Sequence, residues 1–307
     1  MRRRWLAPVV VAAAVLVHAA ITGLRCGDAG RDDRQRVLSW NLHTFRVDDH
    51  DEAAIAAAIA AQRADVVVLQ EVLEPASLAS LVPDAQVLVS RGGGSGRQHL
   101  AIVLAPGVEL LSGPQEHAAL ELGGRVRPAL SVRVRVREQT LQVIAVHLKA
   151  TPEGLARRRV QWAALAHTIA SLRTAAPPGE AMVVIGDFNA TGDETLPAVD
   201  ERAALAAVLA PLQLRPLQPA QGCSAYWDGV RRDAWLEPTL LDFAFVGGWR
   251  DDAVSLAATG ACARHACAPL RSTDAYPDAD LAGTSDHCPI LLRVHRATAA
   301  APSSGAQ

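Results

Sequence analysis

The sequence predicts an α/β protein in which two β-sheets pack face to face and helices cover their outer sides. Half of the 307 residues are hydrophobic and 20% are charged, so the chain can bury a large core. Apolar segments of strand length occur with two helical segments in the order strand, helix, strand, hairpin, helix, strand. No short-period repeat or internal boundary divides residues 37–296, which are therefore treated as one domain.

Each element follows from a local pattern. A helix is predicted over Asp51–Gln62, which is Ala-rich and begins with acids, and another over Pro152–Arg173, which opens with Pro-Glu. Alternating residues predict a hairpin of 128–136 and 140–147. The remaining strands are predicted at 36–42, 65–69, 100–104, 181–185, 240–246 and 288–294. The Gly-rich segment 91–96 lacks the Lys of a P-loop and precedes a strand, which argues against a nucleotide-binding fold of that kind.

The N-terminus has the pattern of an export signal. Arg2–Arg4 precede an uncharged, mostly apolar segment, residues 5–24, so residues 1–26 are predicted to be a signal peptide. About 20 uncharged residues can also just span a bilayer, so an uncleaved anchor is the alternative, with membrane contact only through residues 5–24; lipidation at Cys26 is a third possibility. We expect the body to be periplasmic, extracellular or anchored facing outward. Residues 27–36 are predicted to be a linker and 297–307 a disordered tail.

The cysteines agree with export. Beyond Cys26 the chain has four, and an even number is typical of a disulfide-bonded exported domain. Three pairings are possible, and the closeness of Cys262 to Cys267 favours Cys262–Cys267 together with Cys223–Cys288. Four buried thiols, or a zinc site that includes His265, are the alternatives.

Charge limits the kind of partner. The formal net charge is -2, and it falls to -6 without residues 1–26, which contain four Arg and no acid. A protein with this charge is not a general polyanion binder, so any nucleic-acid contact must depend on a local Arg cluster or on a metal ion.

Polar residues follow apolar strands at the points where those strands end. They are Asn41, Glu71, His147, Asp187, Asn189, Asp286 and His287. Each has an ordinary structural explanation, such as a turn, a helix cap or a satisfied core histidine. Together they provide oxygen ligands that suit a hard cation such as Mg²⁺ or Ca²⁺. The imidazoles and amides suit the oxygens of a phosphoryl group.

The segments that carry these residues form a recognisable set. They are LSWN (Leu38–Asn41), DVVVLQE (Asp65–Glu71), VHLK (Val146–Lys149), GDFN (Gly186–Asn189), LDF (Leu241–Phe243) and SDH (Ser285–His287). In content and order they resemble the endonuclease/exonuclease/phosphatase superfamily, which includes DNase-like nucleases and neutral sphingomyelinases. The resemblance covers residues 37–295. It implies a four-layer α/β/β/α sandwich, with two mixed sheets and helices outside, and a divalent-metal-dependent phosphodiesterase.

The same resemblance implies which residues bind the metal and the phosphate. Glu71 is the expected main metal ligand, with Asn41 and Asp286 near the same ion or a second one. The expected ion is Mg²⁺, with Mn²⁺ or Ca²⁺ as alternatives. His147 and Asn189, together with Asn41, are expected to hold phosphate oxygens.

Four further residues are assigned through the resemblance. Asp187 would orient or deprotonate the attacking water, and His287 would act on the phosphate with Asp242 fixing its tautomer. Whether Asp187 or His287 is the general base stays open. Arg127 matches a phosphate-contacting arginine of DNase-like members, although an exposed strand arginine is an equally good interpretation.

The export signal argues against a housekeeping repair enzyme, so two substrate classes remain. A nuclease needs an arginine-lined groove, for which the candidates are Arg91, Arg97, Arg157, Arg158, Arg159, Arg231 and Arg232, although the run 157–159 is also typical of a solvated helix face. A lipase would use exposed aromatic residues, and Trp227, Trp235 and Trp249 are candidates that charged residues interrupt. We expect a monomeric, endonuclease-like phosphodiesterase acting on nucleic acid. A sphingomyelinase-like phospholipase or a small-phosphoester phosphatase is the alternative, and a non-catalytic binding module is a third class.

Overall fold

The structure is a computed structural model that describes residues 35–229, 234–271, 281 and 283–295. The strands in these ranges are β1 (Arg36–Phe45), β2 (Val66–Val72), β3 (Gln86–Val89), β4 (His99–Leu104), β5 (Val108–His117), β6 (Ala129–Val136), β7 (Gln139–His147), β8 (Ala181–Asp187), β9 (Arg215–Leu217), β10 (Ala225–Trp227), β11 (Trp235–Thr239), β12 (Asp242–Gly247), β13 (Val254–Ala258), β14 (Leu270–Arg271) and β15 (Ile290–Val294). The α-helices are α1 (Glu52–Gln62), α2 (Leu78–Leu81), α3 (Leu155–Ala175), α4 (Ala198–Leu209) and α5 (Gly260–Arg264).

The predicted terminal segments fall largely outside these ranges. The signal peptide or anchor (1–26), nearly all of the linker (27–36) and the tail (297–307) lie outside the described residues. Within the ranges that the structure describes, no helix combines the length and the apolar character that crossing a bilayer requires.

Two six-stranded mixed sheets form the body, as the sequence predicts. Their strand orders are β13-β15-β1-β2-β4-β3 and β5-β6-β7-β8-β12-β9. The central pair of each sheet is parallel, β1 with β2 and β7 with β8. The two strands of a parallel pair end at the same edge of the sheet, so both sheets can present polar residues there. A small third sheet has the order β10-β11-β14.

The apolar runs of the central strands are explained by burial on both faces of each sheet. Val66 and Val68 of β2 lie in the core between the two sheets, whereas Val67 and Leu69 face the outer core that α1 and α2 cover. The second sheet has the same arrangement, with α3 and α4 packed on its outer face. The order of layers is therefore helix, sheet, sheet, helix, which confirms the predicted four-layer sandwich.

The helices begin close to the predicted residues. Asp51 caps α1, because its Oδ1 accepts a hydrogen bond from the Ala54 amide at 3.0 Å. The predicted helix over Pro152–Arg173 starts with a 3-10 turn at Pro152–Gly154, and α3 proper begins at Leu155.

The disulfide pairing differs from the one predicted. Cys223 bonds to Cys267 and Cys262 bonds to Cys288, so the expected Cys262–Cys267 and Cys223–Cys288 pairs are wrong. Cys262 lies inside α5 and is fully buried, whereas Cys267 follows the helix in a left-handed conformation with φ of 57°. The helical turn between them directs the two thiols to different neighbouring segments, so closeness in sequence does not bring them together.

Candidate active site

The polar strand ends of both sheets meet at one edge of the sandwich. Asn41 of β1 donates from Nδ2 to Glu71 Oε1 of β2 at 3.3 Å and to Asp187 Oδ2 of β8 at 3.0 Å. His147 of β7 places Nε2 3.4 Å from Asp187 Oδ2 and 3.6 Å from Glu71 Oε1. The structure therefore brings four of the predicted residues into direct contact.

Glu71 is positioned by an irregularity in its strand. The register of β2 against β4 shifts between Leu69 and Val72, and Glu71 has a φ of 59°. Non-glycine residues seldom adopt this left-handed conformation, and such residues concentrate at functional sites. The shift turns the Glu71 side chain out of the strand pattern, and its Oε2 accepts a hydrogen bond from the Thr44 amide at 2.9 Å.

Asp187 is a fully buried carboxylate of the site. Its Oδ1 accepts from the Asn189 amide at 2.8 Å, and its Oδ2 accepts from Asn189 Nδ2 at 2.9 Å. Asp242 lies directly opposite it in the pairing of β12 with β8. Burial, followed by the negative charge of Asp242, raises the pKa of Asp187 to about 7.

Asp242 and His287 form a close pair. His287 Nδ1 lies 2.7 Å from Asp242 Oδ2, which also accepts a hydrogen bond from Ser224 Oγ at 2.9 Å. Burial alone would lower the pKa of His287, but the charge of Asp242 and the hydrogen bond to it outweigh burial, so the pKa lies well above its ordinary value. The direction favours the protonated imidazole, whose Nε2 can donate a hydrogen bond.

His147 has the opposite character. Burial, followed by the positive charge of Arg127, holds the pKa of His147 well below its ordinary value. Neither ring nitrogen has a hydrogen-bond partner among the described residues, although both are buried. A neutral imidazole that lacks partners at such a site is suited to bind an oxygen that arrives with a ligand.

Arg127 is buried against the site and is not an exposed strand arginine. It is 8% exposed, and its Nη2 donates to the Leu148 carbonyl at 2.7 Å. Burial lowers the pKa of Arg127 to about 10, while the nearby charges of Glu71 and Asp187 act to raise it. It therefore stays a cation at neutral pH, next to the carboxylates. Asn189 Nδ2 also donates to the Leu148 carbonyl, at 3.2 Å.

The donor set fits a divalent cation. Carboxylate oxygens of Asp187 and Asp242 and a ring nitrogen of His287 lie within 4.8 Å of one another, and Glu71 adds a carboxylate beside them, so the carboxylates are the ligand candidates. Asp242 Oδ1 is buried and has no hydrogen-bond partner among the described residues. Several buried carboxylates at close range are costly unless cations compensate them, and oxygen-rich sets favour hard divalent ions.

The two other predicted metal ligands have different neighbours. The amide nitrogen of Asn41 faces the carboxylates, and its Oδ1 accepts a hydrogen bond from the His43 amide at 3.0 Å. Asp286 is part-exposed and has Oδ1 3.3 Å from His43 Nδ1. In this arrangement Asn41 acts on the site as a hydrogen-bond donor, and Asp286 stands at its rim.

Arg158 does not line a groove or a solvated face. It is fully buried, and it donates from Nε and Nη2 to Glu201 at 2.6 and 2.9 Å. Its Nη1 donates to the carbonyls of Lys149 and Thr151 at 3.0 and 2.7 Å. Arg158 shares the inner face of α3 with Leu155, which explains why it is buried. Its role is to hold the loop that follows β7.

The other arginines that were predicted to line a groove are either exposed or outside the residues that the structure describes. Arg91, Arg97, Arg157 and Arg159 are exposed. Arg231 and Arg232 lie outside the described residues.

Some functional contacts were missed from the sequence. Ser224 holds Asp242, Ser285 Oγ donates to the Asn41 carbonyl at 2.7 Å, and Trp40 Nε1 donates to the His287 carbonyl at 2.9 Å. Trp40 and Ser285 belong to the LSWN and SDH motifs, so the sequence did offer a reason to consider them. Ser224 lies outside them, and Gln98, 3.5 Å from Arg127, has no signal in a single sequence.

Comparisons with known proteins agree on the fold. D. rerio TDP2 in complex with a single strand DNA product is 19% identical, with a TM-score of 0.59, and the match covers 85% of this chain and 99% of that one. The human Nocturnin catalytic domain with bound sulfate anion is 16% identical, with a TM-score of 0.57 and coverages of 85% and 94%. The endonuclease domain of TRAS1, a telomere-specific non-LTR retrotransposon, is 16% identical, with a TM-score of 0.55 and coverages of 86% and 100%. At these identities the likeness shows the fold alone.

A comparison with curated proteins found no match. The family model described as Endonuclease/Exonuclease/phosphatase family matches residues 38–287, which is most of the chain and includes every predicted strand end of the site. The protein therefore belongs to the Endonuclease/Exonuclease/phosphatase family.

Proposed function

We propose that the protein is an exported, divalent-metal-dependent phosphodiesterase that hydrolyses nucleic acid. The observation that carries this proposal is the position of Asp187. It is bonded to Asn41 and Asn189, lies opposite Asp242 in the sheet, and is 3.4 Å from His147. A proton acceptor among amide and imidazole donors is what attack of water on a phosphodiester needs.

The directions of the pKa shifts support different roles for Asp187, as proton acceptor, and His287, as proton donor. The pKa of Asp187 is about 7, so at neutral pH it can take a proton from the attacking water as the water oxygen bonds to phosphorus. Asp242 raises the pKa of His287, which favours its protonated form. His287 can therefore donate to a phosphate oxygen and protonate the leaving oxygen as the ester bond breaks. Asp187, not His287, is our proposed general base.

The remaining residues bind and orient the phosphate. Neutral His147, the amide groups of Asn41 and Asn189, and the buried Arg127 cation surround the carboxylates and can hold phosphate oxygens. Glu71, with Asp286 at the rim of the site, would hold the divalent ion, for which we propose Mg²⁺ or Mn²⁺. A bound ion of this kind supplies charge neutralisation and polarisation of the phosphoryl group.

Nucleic acid is the proposed substrate class for two reasons. D. rerio TDP2 is described with a single strand DNA product and TRAS1 as an endonuclease, and both share this fold. Arg127 supplies a buried cation at the site. The alternative, a sphingomyelinase-like phospholipase, is favoured by Trp227 and Trp235, which are 50% and 46% exposed.

Export is proposed from residues 1–26 and is supported by the two disulfides, which persist mainly in oxidising compartments. Mass determination of the mature N-terminus in cell fractions tests it. An intact Met1 on protein that stays in the cytoplasm would contradict export.

A substrate panel tests the catalytic proposal. Plasmid DNA, RNA, sphingomyelin and bis-p-nitrophenyl phosphate are incubated with Mg²⁺, Mn²⁺, Ca²⁺ or EDTA. We expect hydrolysis of DNA or RNA and of bis-p-nitrophenyl phosphate, and its loss in EDTA. Glu71→Gln should abolish turnover, whereas Glu74→Gln should not. Glu74 lies three residues further along the chain, beyond the end of β2, and accepts a hydrogen bond from the Val47 amide at 3.0 Å that an amide oxygen can keep. Full activity in excess EDTA would overturn the proposal.

A further inference from the structure

A buried ion pair joins helices α3 and α4. Arg158 of α3 is fully buried, and it donates from Nε and Nη2 to the two carboxylate oxygens of Glu201 of α4. Burying two charges carries a desolvation cost that a well-packed apolar pair avoids, so joining the helices does not by itself explain this contact. The other hydrogen bonds of the pair indicate what it does.

The pair holds two loops at the same time. Arg158 Nη1 donates to the Lys149 carbonyl at 3.0 Å, in the loop that follows β7. Arg158 Nη2 donates to Thr191 Oγ1 at 3.0 Å, in the loop that follows β8. In this second loop the Gly192 amide also donates to Glu201 Oε2 at 2.7 Å. Each partner of the ion pair is therefore bonded to a loop, and Arg158 is bonded to both.

Each loop lies next to a residue that is proposed to bind the phosphate. His147 ends β7 and lies two residues before Lys149. Asn189 lies two residues before Thr191. The loops are also bonded to each other, because Asn189 Nδ2 donates to the Leu148 carbonyl at 3.2 Å. Moving one loop relative to the other would therefore change the separation of the His147 imidazole and the Asn189 amide.

The Leu148 carbonyl connects the loops to the buried cation of the site. It accepts a hydrogen bond from Arg127 Nη2 at 2.7 Å in addition to the one from Asn189. Leu148 directly precedes Lys149, whose carbonyl Arg158 holds, so the ion pair restrains the chain beside this shared acceptor. Misplacing the groups of an active site by about 1 Å can cost roughly 100-fold in rate, even when the mutated residue is far from the chemistry.

We propose that Arg158, together with Glu201, is a positioning residue that fixes the spacing of the phosphate-binding groups by holding the loops after β7 and β8 in one arrangement. The inference rests on the proposed function, since it concerns the alignment of that site. Without the pair, both loops keep their site residues, but the relative position of the loops is no longer fixed. The expected consequence is a loss in kcat that exceeds any change in KM, because alignment matters most in the transition state.

A double variant separates this role from stability. Arg158→Met with Glu201→Leu leaves no buried charge, so the domain should stay folded, but neither side chain can hold a loop. We expect kcat for bis-p-nitrophenyl phosphate to fall by roughly 10- to 100-fold, with KM little changed. The control is Arg133→Met with Glu180→Leu, which removes an ion pair with Nε and Oε1 2.8 Å apart, just before the start of β8. That pair lies at the opposite end of β8 from Asp187, so its loss should leave kcat unchanged.

Hydrogen exchange of backbone amides gives a readout that does not depend on turnover. In the Arg158 and Glu201 double variant, exchange should become faster in both loops, including the Gly192 amide, which loses its acceptor, while β7 and β8 stay protected. The control double variant at Arg133 and Glu180 should leave exchange in the loops unchanged. Unchanged exchange in either loop of the first variant would overturn the inference.

Turnover and exchange together decide between the outcomes. Wild-type kcat in a folded double variant whose loops exchange faster would overturn the positioning role. If the double variant does not fold, Arg158→Lys takes its place, because it keeps a charge beside Glu201 but lacks the planar fork that reaches both loops. The same two measurements then apply, with a smaller loss in kcat expected. A wild type that hydrolyses no phosphodiester would reject the proposed function, whereas the exchange measurement would still show whether the pair holds both loops.

Discussion

Replacing Arg158 by Ala should destabilise the folded protein by about 3–5 kcal/mol, the usual cost of breaking a buried ion pair by removing one partner. The structure explains the size of this effect. Glu201 is 1% exposed and would become an uncompensated buried charge. The carbonyls of Lys149 and Thr151 would lose their common donor as well. Such a loss is a large fraction of the 5–15 kcal/mol that typically holds a domain folded.

Neighbouring arginines provide the matched controls. Arg157 and Arg159 are exposed on the same helix, so Arg157→Ala and Arg159→Ala should change stability by no more than about 0.5 kcal/mol. Urea unfolding gives the free energies, provided that the slope of each transition is unchanged. In thermal melts, Arg158→Ala should lower Tm by roughly 6–20 °C for a domain of this size.

A charge-neutral double variant separates the ion pair from packing. Arg158→Met with Glu201→Leu removes both charges and should recover much of the lost stability, because apolar replacement of a whole buried pair is often tolerated. If Arg158→Ala destabilised the protein no more than Arg157→Ala, the two arginines would have the same environment. The assignment of Arg158 to the inner face of α3 would then be refuted.

Asp242→Asn and His287→Ala should each lower kcat strongly, and the double variant should be no slower than the worse single one, since the two side chains act as a unit; additive losses in steady-state kinetics would contradict the pair. Burial and the charge of Asp242 raise the pKa of Asp187 to about 7. Turnover should therefore fall as the pH drops below about 7, because Asp187 is then protonated and cannot accept a proton. A kcat profile that is flat down to about pH 5 would count against this base. Cys223→Ser should free one thiol, at Cys267, and cost roughly 4 kcal/mol for a bond that spans 44 residues; peptide mapping of a labelled thiol tests this, and a label on another cysteine would contradict the pairing.

The layers of the fold could be predicted because the central strands have strong patterns. The run Val66–Leu69 is apolar on both faces of its strand, and this alone predicts a sheet covered on two sides. The edge strand β5 was not predicted, since none of its residues is buried and they include Gly113, Pro114 and charged side chains. The helix α4 was also missed, although it has acids in its first turn. The sequence pattern predicts a strand or helix least well when tertiary contacts hold only one side of it.

The site was partly predictable for a different reason. Asn41, Glu71, His147 and Asp187 end apolar strands, and parallel central pairs bring those ends to one edge. Which atoms face which was not predictable, as Asn41 shows by turning its amide nitrogen toward the carboxylates. The bonds of Arg158 to Glu201 connect residues 43 positions apart, and no periodicity in a single sequence records such a contact.

The disulfides show how sequence distance misleads when a helix intervenes. Cys262 and Cys267 are close in the chain, yet they bond to different segments that flank the Asp242–His287 pair. Cys223 precedes Ser224, which donates to Asp242, and Cys288 follows His287, which lies 2.7 Å from the same carboxylate. Both bonds attach these segments to the region of α5. The observed pairing therefore ties each side of the Asp242–His287 contact to the region of α5, whereas the predicted pairing would have joined Cys223 directly to Cys288 and left α5 bonded only to its own turn.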